Sequence, residues 1–185
     1  LLTVAAHKFG GPKGVGALYI RDGVTVQPVI HGGGQERGLR SGTENVAGIA
    51  GLGAAAEVAA ATVVGQQARL VDLRDELFRR LVSKLGERVL LNGHPQLRLP
   101  NTLNVSFSGA VGARVLDAVP EIAASTGSAC HDGTVGSPVL AAMGLDAHRT
   151  AGAIRLSLGR TTTEADVRAT ADLLANAVRA VASHD

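Results

Sequence analysis

Two positions in this sequence combine a nucleophilic side chain with small, turn-forming neighbours. Lys8 stands in Ala5-Ala6-His7-Lys8-Phe9-Gly10-Gly11-Pro12, where one apolar run ends in a Gly/Pro-rich turn and a second, Gly16 to Ile20, follows. That spacing puts an amine at a strand end, where backbone can approach a ligand closely. Lysine forms Schiff bases when its pKa is lowered or its site is built around the imine. The ordinary alternative is a solvated lysine before a turn, because Lys is mostly exposed. Cys130 is the one cysteine of the chain. A lone Cys forms no internal disulfide and no Cys-rich metal site. Taken alone, a free Cys behaves as a small buried hydrophobe. Its neighbours, Ser125 to Ser137, are small and polar with three glycines. That composition describes an exposed loop, and a thiol on such a loop is a candidate nucleophile.

The elements that must position these groups can be read from periodicity. Residues 1 to about 40 read as strand, turn and strand (Gly16 to Ile20, then Val24 to Ile30), followed by a Gly-rich loop. Ser41-Gly42-Thr43-Glu44 fits a capping box that opens a helix to about Ala61. A second helix, roughly Gln66 to Leu85, carries Leu70, Leu73, Leu77, Phe78, Leu81 and Leu85 on one face. The pattern then switches to period two. Val89 to Leu91 is a short strand. Leu103, Val105 and Phe107 alternate with Asn104 and Ser106, and Ile154, Leu156 and Leu158 alternate with Arg155 and Ser157. Each such strand buries one face and leaves the other polar, so Arg155 points away from the core. Thr161-Thr162-Thr163-Glu164 fits a second capping box, which starts a last helix from Glu164 to about Ala182. From about residue 86 onward the chain reads as a small α+β domain, and its first 40 or so residues read as the end of a larger sheet.

Composition narrows the function classes. The chain has 185 residues, enough for one good core or two small ones. Its net charge is +2, its basic residues are scattered, aromatics are 2% and Trp is absent. Neither a basic footprint nor stacking residues are present, so nucleic-acid binding is not expected. Val46 to Gly65 is mostly Ala and Gly with Glu57 inside it, and reads as a buried, closely packed soluble helix rather than a membrane span. No secretory signal is visible.

Four ordered segments carry a resemblance. "HKFGGPKGVGALYIR" (His7 to Arg21), "HGGGQERGLRSGTENVAGIAGLGAAAE" (His31 to Glu57), "STGSACHDG" (Ser125 to Gly133) and "IRLSLGR" (Ile154 to Arg160) are similar to segments of the NifS-like cysteine desulfurases and selenocysteine lyases. The "GGGQER" and "GTEN" wording leans towards the selenocysteine lyases. These are pyridoxal-phosphate (PLP) enzymes of fold type I in the class V aminotransferase superfamily. The resemblance implies an α/β fold: the C-terminal part of the large PLP-binding domain over 1–62, then a linking helix and the small α+β domain with the cysteine loop over 63–185. It also implies a large preceding portion that carries about half of the cofactor site; the strand edge at Leu1, which would then be exposed, leads to the expectation that the chain folds poorly alone.

The resemblance also implies roles. Lys8 would hold PLP through its amine and then move the substrate α-proton, with His7 beside it in the cofactor site. Many relatives carry Ser three residues before this lysine as a phosphate ligand. Here that residue is Ala5, so the phosphate must lean on other donors, among them the Thr43 hydroxyl, which in relatives reaches the cofactor of the neighbouring subunit. A hydroxyl and free backbone N–H groups at a helix start suit an anion. Arg37 and Arg40 either face the phosphate or are solvated. Arg155 would clamp the substrate α-carboxylate bidentately, against the alternative of a solvated strand arginine. Cys130 would attack the substrate sulfur and become a persulfide. In a selenocysteine lyase it would instead act as gatekeeper or acid. Twenty-four residues separate Cys130 from Arg155, the long-loop arrangement of relatives, with Pro138 and Gly144 punctuating the loop's return. The implied partners are L-cysteine or L-selenocysteine, a sulfur-acceptor or scaffold protein, and a second subunit in a homodimer that shares its active site. The implied location is cytoplasmic, with no membrane partner. A non-catalytic PLP-fold fragment serving as an interaction module is the alternative of another class. An ordinary aminotransferase is disfavoured, because transamination has no use for the Cys130 loop.

Overall fold

The computed structural model describes residues 1–127 and 137–182, which fall into two compact units, Leu1–Val64 and Gly65–Asp185. In the first unit, strand β1 (Leu2–Ala5) pairs antiparallel with β2 (Gly16–Tyr19), with Leu2 opposite Tyr19 and Ala5 opposite Gly16. A single 3-10 turn, Ala6–Phe9, leaves β1 directly and ends at Gly10, whose left-handed φ of 92° favours glycine. The expected strand from Val24 to Ile30 does not form: the segment is irregular, and Pro28 removes a donor that a ladder would need.

The long helix α1 (Val46–Leu85) belongs to both units. It corrects three expectations. Its N-cap is Asn45, whose Oδ1 accepts from the Gly48 N–H at 3.0 Å, so Ser41-Gly42-Thr43-Glu44 precedes the cap instead of forming it. It also continues unbroken through Gly65, where two helices were expected. An interior glycine costs about 1 kcal/mol, which a 40-residue helix with a packed C-terminal half absorbs. Finally, its first half is not buried. Val46, Ile49, Val58, Val63 and Val64 are exposed. Its small-residue side, at Gly51 and Ala55, is approached by Pro12 and Gly11. By length and composition alone, this helix with its continuation to Arg88 is apolar enough to cross a membrane.

In the second unit, β3 (Val89–Leu91), β4 (Thr102–Phe107) and β5 (Ala153–Ser157) form an antiparallel sheet in the order β3-β4-β5. The short helices α2 (Gly112–Asp117), α3 (Pro138–Ala142) and α4 (Ala147–Ala151) lie between β4 and β5 in sequence, and α5 (Glu164–Val181) follows β5. The core is the apolar sheet face (Leu103, Val105, Phe107, Ile154, Leu156) against Leu73, Leu77, Leu81 and Leu85 of α1 and Val167, Leu174 and Val178 of α5. The C-terminal half of α1 shows the expected stripe at period 3.6, and α5 carries one as well. The cap of α5 lies two residues later than expected. Thr163 is the N-cap, its hydroxyl accepts from the Asp166 N–H, and the Asp166 carboxylate accepts from the Thr163 N–H in return. Arg69 of α1 fixes the turn between β5 and α5 by donating to the Thr162 and Arg160 carbonyls at 2.7 and 2.9 Å.

Candidate active site

Lys8 sits in the middle of the 3-10 turn, exposed, with no ion-pair or hydrogen-bond partner among the described residues. Three local features hold that turn. Ala6, buried, receives the Gly11 N–H on its carbonyl at 2.8 Å and donates its own N–H to the Val15 carbonyl at 3.1 Å. A methyl group on Gly11 would lie 2.8 Å from Ala6 Cβ and 3.3 Å from Ala55 Cβ, so the turn closes only with glycine there. A methyl group on Gly51 would lie 3.0 Å from the Pro12 ring. The Ala/Gly composition of α1 is thereby explained: its small side lets the lysine turn approach the helix backbone. His7 is exposed beside Lys8 on the same turn, and Ala5, the last residue of β1, brings no hydroxyl.

Thr43 lies two residues before the Asn45 cap of α1, exposed and free of hydrogen bonds among the described residues. The loop leading to it is bent by left-handed backbone at Gly34, Glu36, Arg37, Gly38 and Gly42. Gln35 Oε1 accepts the Gly42 N–H at 3.0 Å and Arg40 donates to the Ser41 carbonyl at 3.3 Å, so Arg40 is spent partly on its own loop. No hydrogen bond joins Lys8, His7 and Thr43 among the described residues; they share the first unit and nothing more.

In the second unit Arg155 is exposed on β5 between buried Ile154 and Leu156, on the polar sheet face as its alternation requires. Its backbone exchanges both hydrogen bonds with Ser125, at 2.7 and 3.2 Å. The chain therefore enters the cysteine loop from a strand bridge beside Arg155. Cys130 itself lies outside the described residues. The loop's return begins at Ser137, whose hydroxyl caps the Leu140 N–H, with Pro138 at the first helical position of α3 and Gly144 in the left-handed conformation after it. A separate cleft of about 410 Å³ opens near Leu156, Leu158, Thr161 and Val167, and Arg155 does not line it.

Sequence reasoning missed Ser125 as the anchor of the loop and Asn45 as the helix cap. The capping preference of Asn could have flagged the second; the first depends on register, which no local pattern encodes.

The profile of the family described as Aminotransferase class-V matches residues 1–170. The chain belongs to the class-V aminotransferase family. Among its relatives, it is 48% identical over 172 residues to a cysteine desulfurase IscS of Clostridium botulinum, covering 90% of this chain and 43% of that protein. It is 45% identical over 177 residues to a cysteine desulfurase IscS of Dictyoglomus turgidum, covering 94% and 45%. Among solved structures, a NifS-like protein superposes with a TM-score of 0.85 at 39% identity, over 96% of this chain and 46% of that one. A NifS-like protein from Rickettsia africae superposes with a TM-score of 0.84 at 30% identity, over 96% and 47%. The chain thus spans somewhat less than half the length of the curated relatives it matches. Its fold is that of the PLP-dependent fold type I proteins, mixed α/β.

Class-V aminotransferases are PLP-dependent, and the donors in this chain fit that cofactor. Lys8 offers an amine with no competing carboxylate, and Thr43 offers a hydroxyl with no competing partner among the described residues. Ala5 offers nothing to the phosphate.

Proposed function

We propose that this chain is the lysine- and cysteine-bearing part of a PLP-dependent cysteine desulfurase. The net reaction takes L-cysteine and the Cys130 thiol to L-alanine and a persulfide on Cys130. The substrate Cβ–S bond breaks, an S–S bond forms, and a proton from the thiol side ends on the former Cβ, so no outside oxidant or reductant is needed. Bound PLP supplies the electron sink that makes the substrate Cα–H acidic. Lys8 Nζ holds the cofactor and then carries the α-proton. Arg155 orients the substrate through its carboxylate. The Thr43 hydroxyl donates to the phosphate, in a homodimer to that of the neighbouring subunit, and His7 sits beside the lysine. Cys130 attacks as the thiolate, and its loop, leaving the sheet at the Ser125 bridge, then carries the sulfur to an acceptor protein. Cytoplasmic location and division into a large-domain part over 1–62 and a small domain over 63–185 belong to the same reading.

The observation that carries this reading is Lys8, without a partner among the described residues, on a glycine-closed turn in a chain 45–48% identical to proteins named cysteine desulfurase. Intact mass after brief exposure of the PLP-loaded protein to L-cysteine tests it, with peptide mapping. One added sulfur on Cys130 that reduction removes is expected, and Lys8→Ala abolishes it. Alanine release that survives Lys8→Ala would overturn the reading. An unmodified Cys130 with rapid release of selenide from L-selenocysteine would replace it with a selenocysteine lyase.

A further inference from the structure

The polar face of the small sheet holds a hydrogen-bond relay that the reading above does not use. Arg149, on α4, has only donors. Its Nε donates to Asn92 Oδ1 at 2.9 Å and its Nη2 to the Leu91 carbonyl at 2.7 Å. With Asn92 Oδ1 so occupied, Asn92 Nδ2 must donate. It does so twice, to Ser106 Oγ at 2.7 Å and to Asn104 Oδ1 at 2.8 Å. Ser106 Oγ in turn donates to the Arg149 carbonyl at 2.6 Å, which closes the circuit. Asn92 and Ser106 are 5% and 1% exposed, so neither amide nor hydroxyl can exchange its partners for water. The donor-only guanidinium thus dictates every orientation down the line, and the last group, Asn104, is left with its oxygen bound and its NH₂ without a partner among the described residues.

Asn104 lies directly opposite Arg155 in the β4–β5 register. Both backbone groups of Arg155 are turned away to Ser125, and the Asn104 carbonyl is turned away to the Asn92 N–H. The pair is therefore of the non-hydrogen-bonded kind, in which facing side chains stand closest, with Cβ atoms about 4.5–5.5 Å apart. Ser125, the neighbour on the other side of Arg155, donates its hydroxyl proton to the Gly127 carbonyl at 2.6 Å. Asn104 is thus the flanking side chain that, among the described residues, has unused donors next to Arg155 on the polar sheet face.

We infer that Asn104 Nδ2 and the Arg155 guanidinium together bind the substrate α-carboxylate, and that Asn92 and Arg149 are positioning residues that keep the Asn104 amide turned donor-outward. This rests on the desulfurase reading for the substrate, and on the sheet geometry alone for the carboxylate. Asn104→Asp keeps the shape, turns donors into acceptors and sets a negative charge against Arg155. Asn104→Ala removes the donor, and Asn92→Leu frees the amide to flip.

The test is an equilibrium titration of the PLP-loaded protein with L-alanine, read by the cofactor's absorbance. A parallel titration uses cysteamine, which is L-cysteine without its carboxyl. Losing one hydrogen bond to a charged group is expected to weaken L-alanine on the order of tenfold in Asn104→Ala, more in Asn104→Asp and less in Asn92→Leu. The cysteamine affinity is expected to stay within about twofold, and KM for L-cysteine to rise with kcat little changed. General structural damage would weaken both ligands alike. Unchanged L-alanine binding in Asn104→Asp, equal weakening of cysteamine, or no binding of L-alanine by the unaltered protein would each overturn the inference. If the unaltered protein binds L-alanine in the expected pattern but forms no persulfide, the desulfurase reading fails and the carboxylate site stands.

Discussion

The two units hold their chemistry in place by opposite means. In Gly65–Asp185, Arg155 is fixed because its strand neighbours Ile154 and Leu156 are locked in a core shared by three strands and the helices α1, α2 and α5. In Leu1–Val64 the one buried apolar residue among those described is Ala6, and both strands are exposed along almost their whole length. Lys8 is held instead by backbone: a left-handed Gly10, a Gly11 with no room for a methyl group, and a turn lying on the small side of α1. A core gives positional precision through many dispersion contacts and tolerates little volume change. A glycine turn gives it through sterics at one or two atoms, and leaves the reactive group exposed.

That contrast can be broken experimentally. The largest stability effect is expected from Phe107→Ala. Phe107 is 1% exposed at the centre of the second unit, and large-to-small changes at such sites cost about 3–5 kcal/mol. Urea denaturation should show that loss, and a cost under about 1 kcal/mol would mean the core is not what orders β5. Gly11→Ala sharpens the other side. Its methyl group would press on Ala6 and Ala55, an overpacking of about 1–3 kcal/mol confined to the first unit. Bound PLP, read by absorbance, should fall severalfold while the urea midpoint of the second unit stays put. A shift of that midpoint would show that the turn and the core are not separate devices.

The smallest effects sit at the start of α5. Thr163→Ala removes an N-cap and should cost about 1 kcal/mol in the second unit. Hydrogen bonds from the Thr163 N–H, and then from its hydroxyl, hold the Asp166 carboxyl below the usual carboxylate range. A carboxyl whose pKa is lowered on folding contributes stability above its unfolded value, and that contribution is lost as pH falls through the folded value. Stability should therefore decline below about pH 4, and Asp166→Asn should flatten part of that decline in acid-unfolding curves. An unchanged acid limb would mean that other carboxyls, such as Asp146 at the cap of α4 or Asp172 beside Lys84, dominate it.

Periodicity alone made the second unit legible. Leucines four apart on α1 and alternating apolar residues on β4 and β5 are core signals that any tertiary arrangement must honour, and they put Arg155 on the polar face without a structure. The first unit was less legible. Val24 to Ile30 looks like a strand because Val and Ile favour strands, yet a strand needs a partner and Pro28 denies it one donor. The Ala/Gly run of α1 looks buried because small apolar residues usually are. Its smallness serves instead to admit the lysine turn, and its valines stay exposed.

The candidate site divides in the same way. Residue types and local spacing singled out Lys8 and Cys130, because an amine on a glycine turn and a thiol among small polar residues are each written within a few consecutive positions; for Arg155 they gave only its place on the polar strand face, and its role as a carboxylate clamp came from the family resemblance. The pairing of Arg155 with Asn104 and Ser125 was not so written, because it depends on register between segments 30 to 50 residues apart. Nor was the Asn104 NH₂, free among the described residues, whose direction is set through Asn92 by a donor-only arginine on α4. Sequence by itself determined which chemical groups are present and which face of its element each occupies, since backbone geometry fixes both locally. Only tertiary structure decided which groups stand side by side and which way an amide turns, since those follow from long-range register and closed hydrogen-bond circuits.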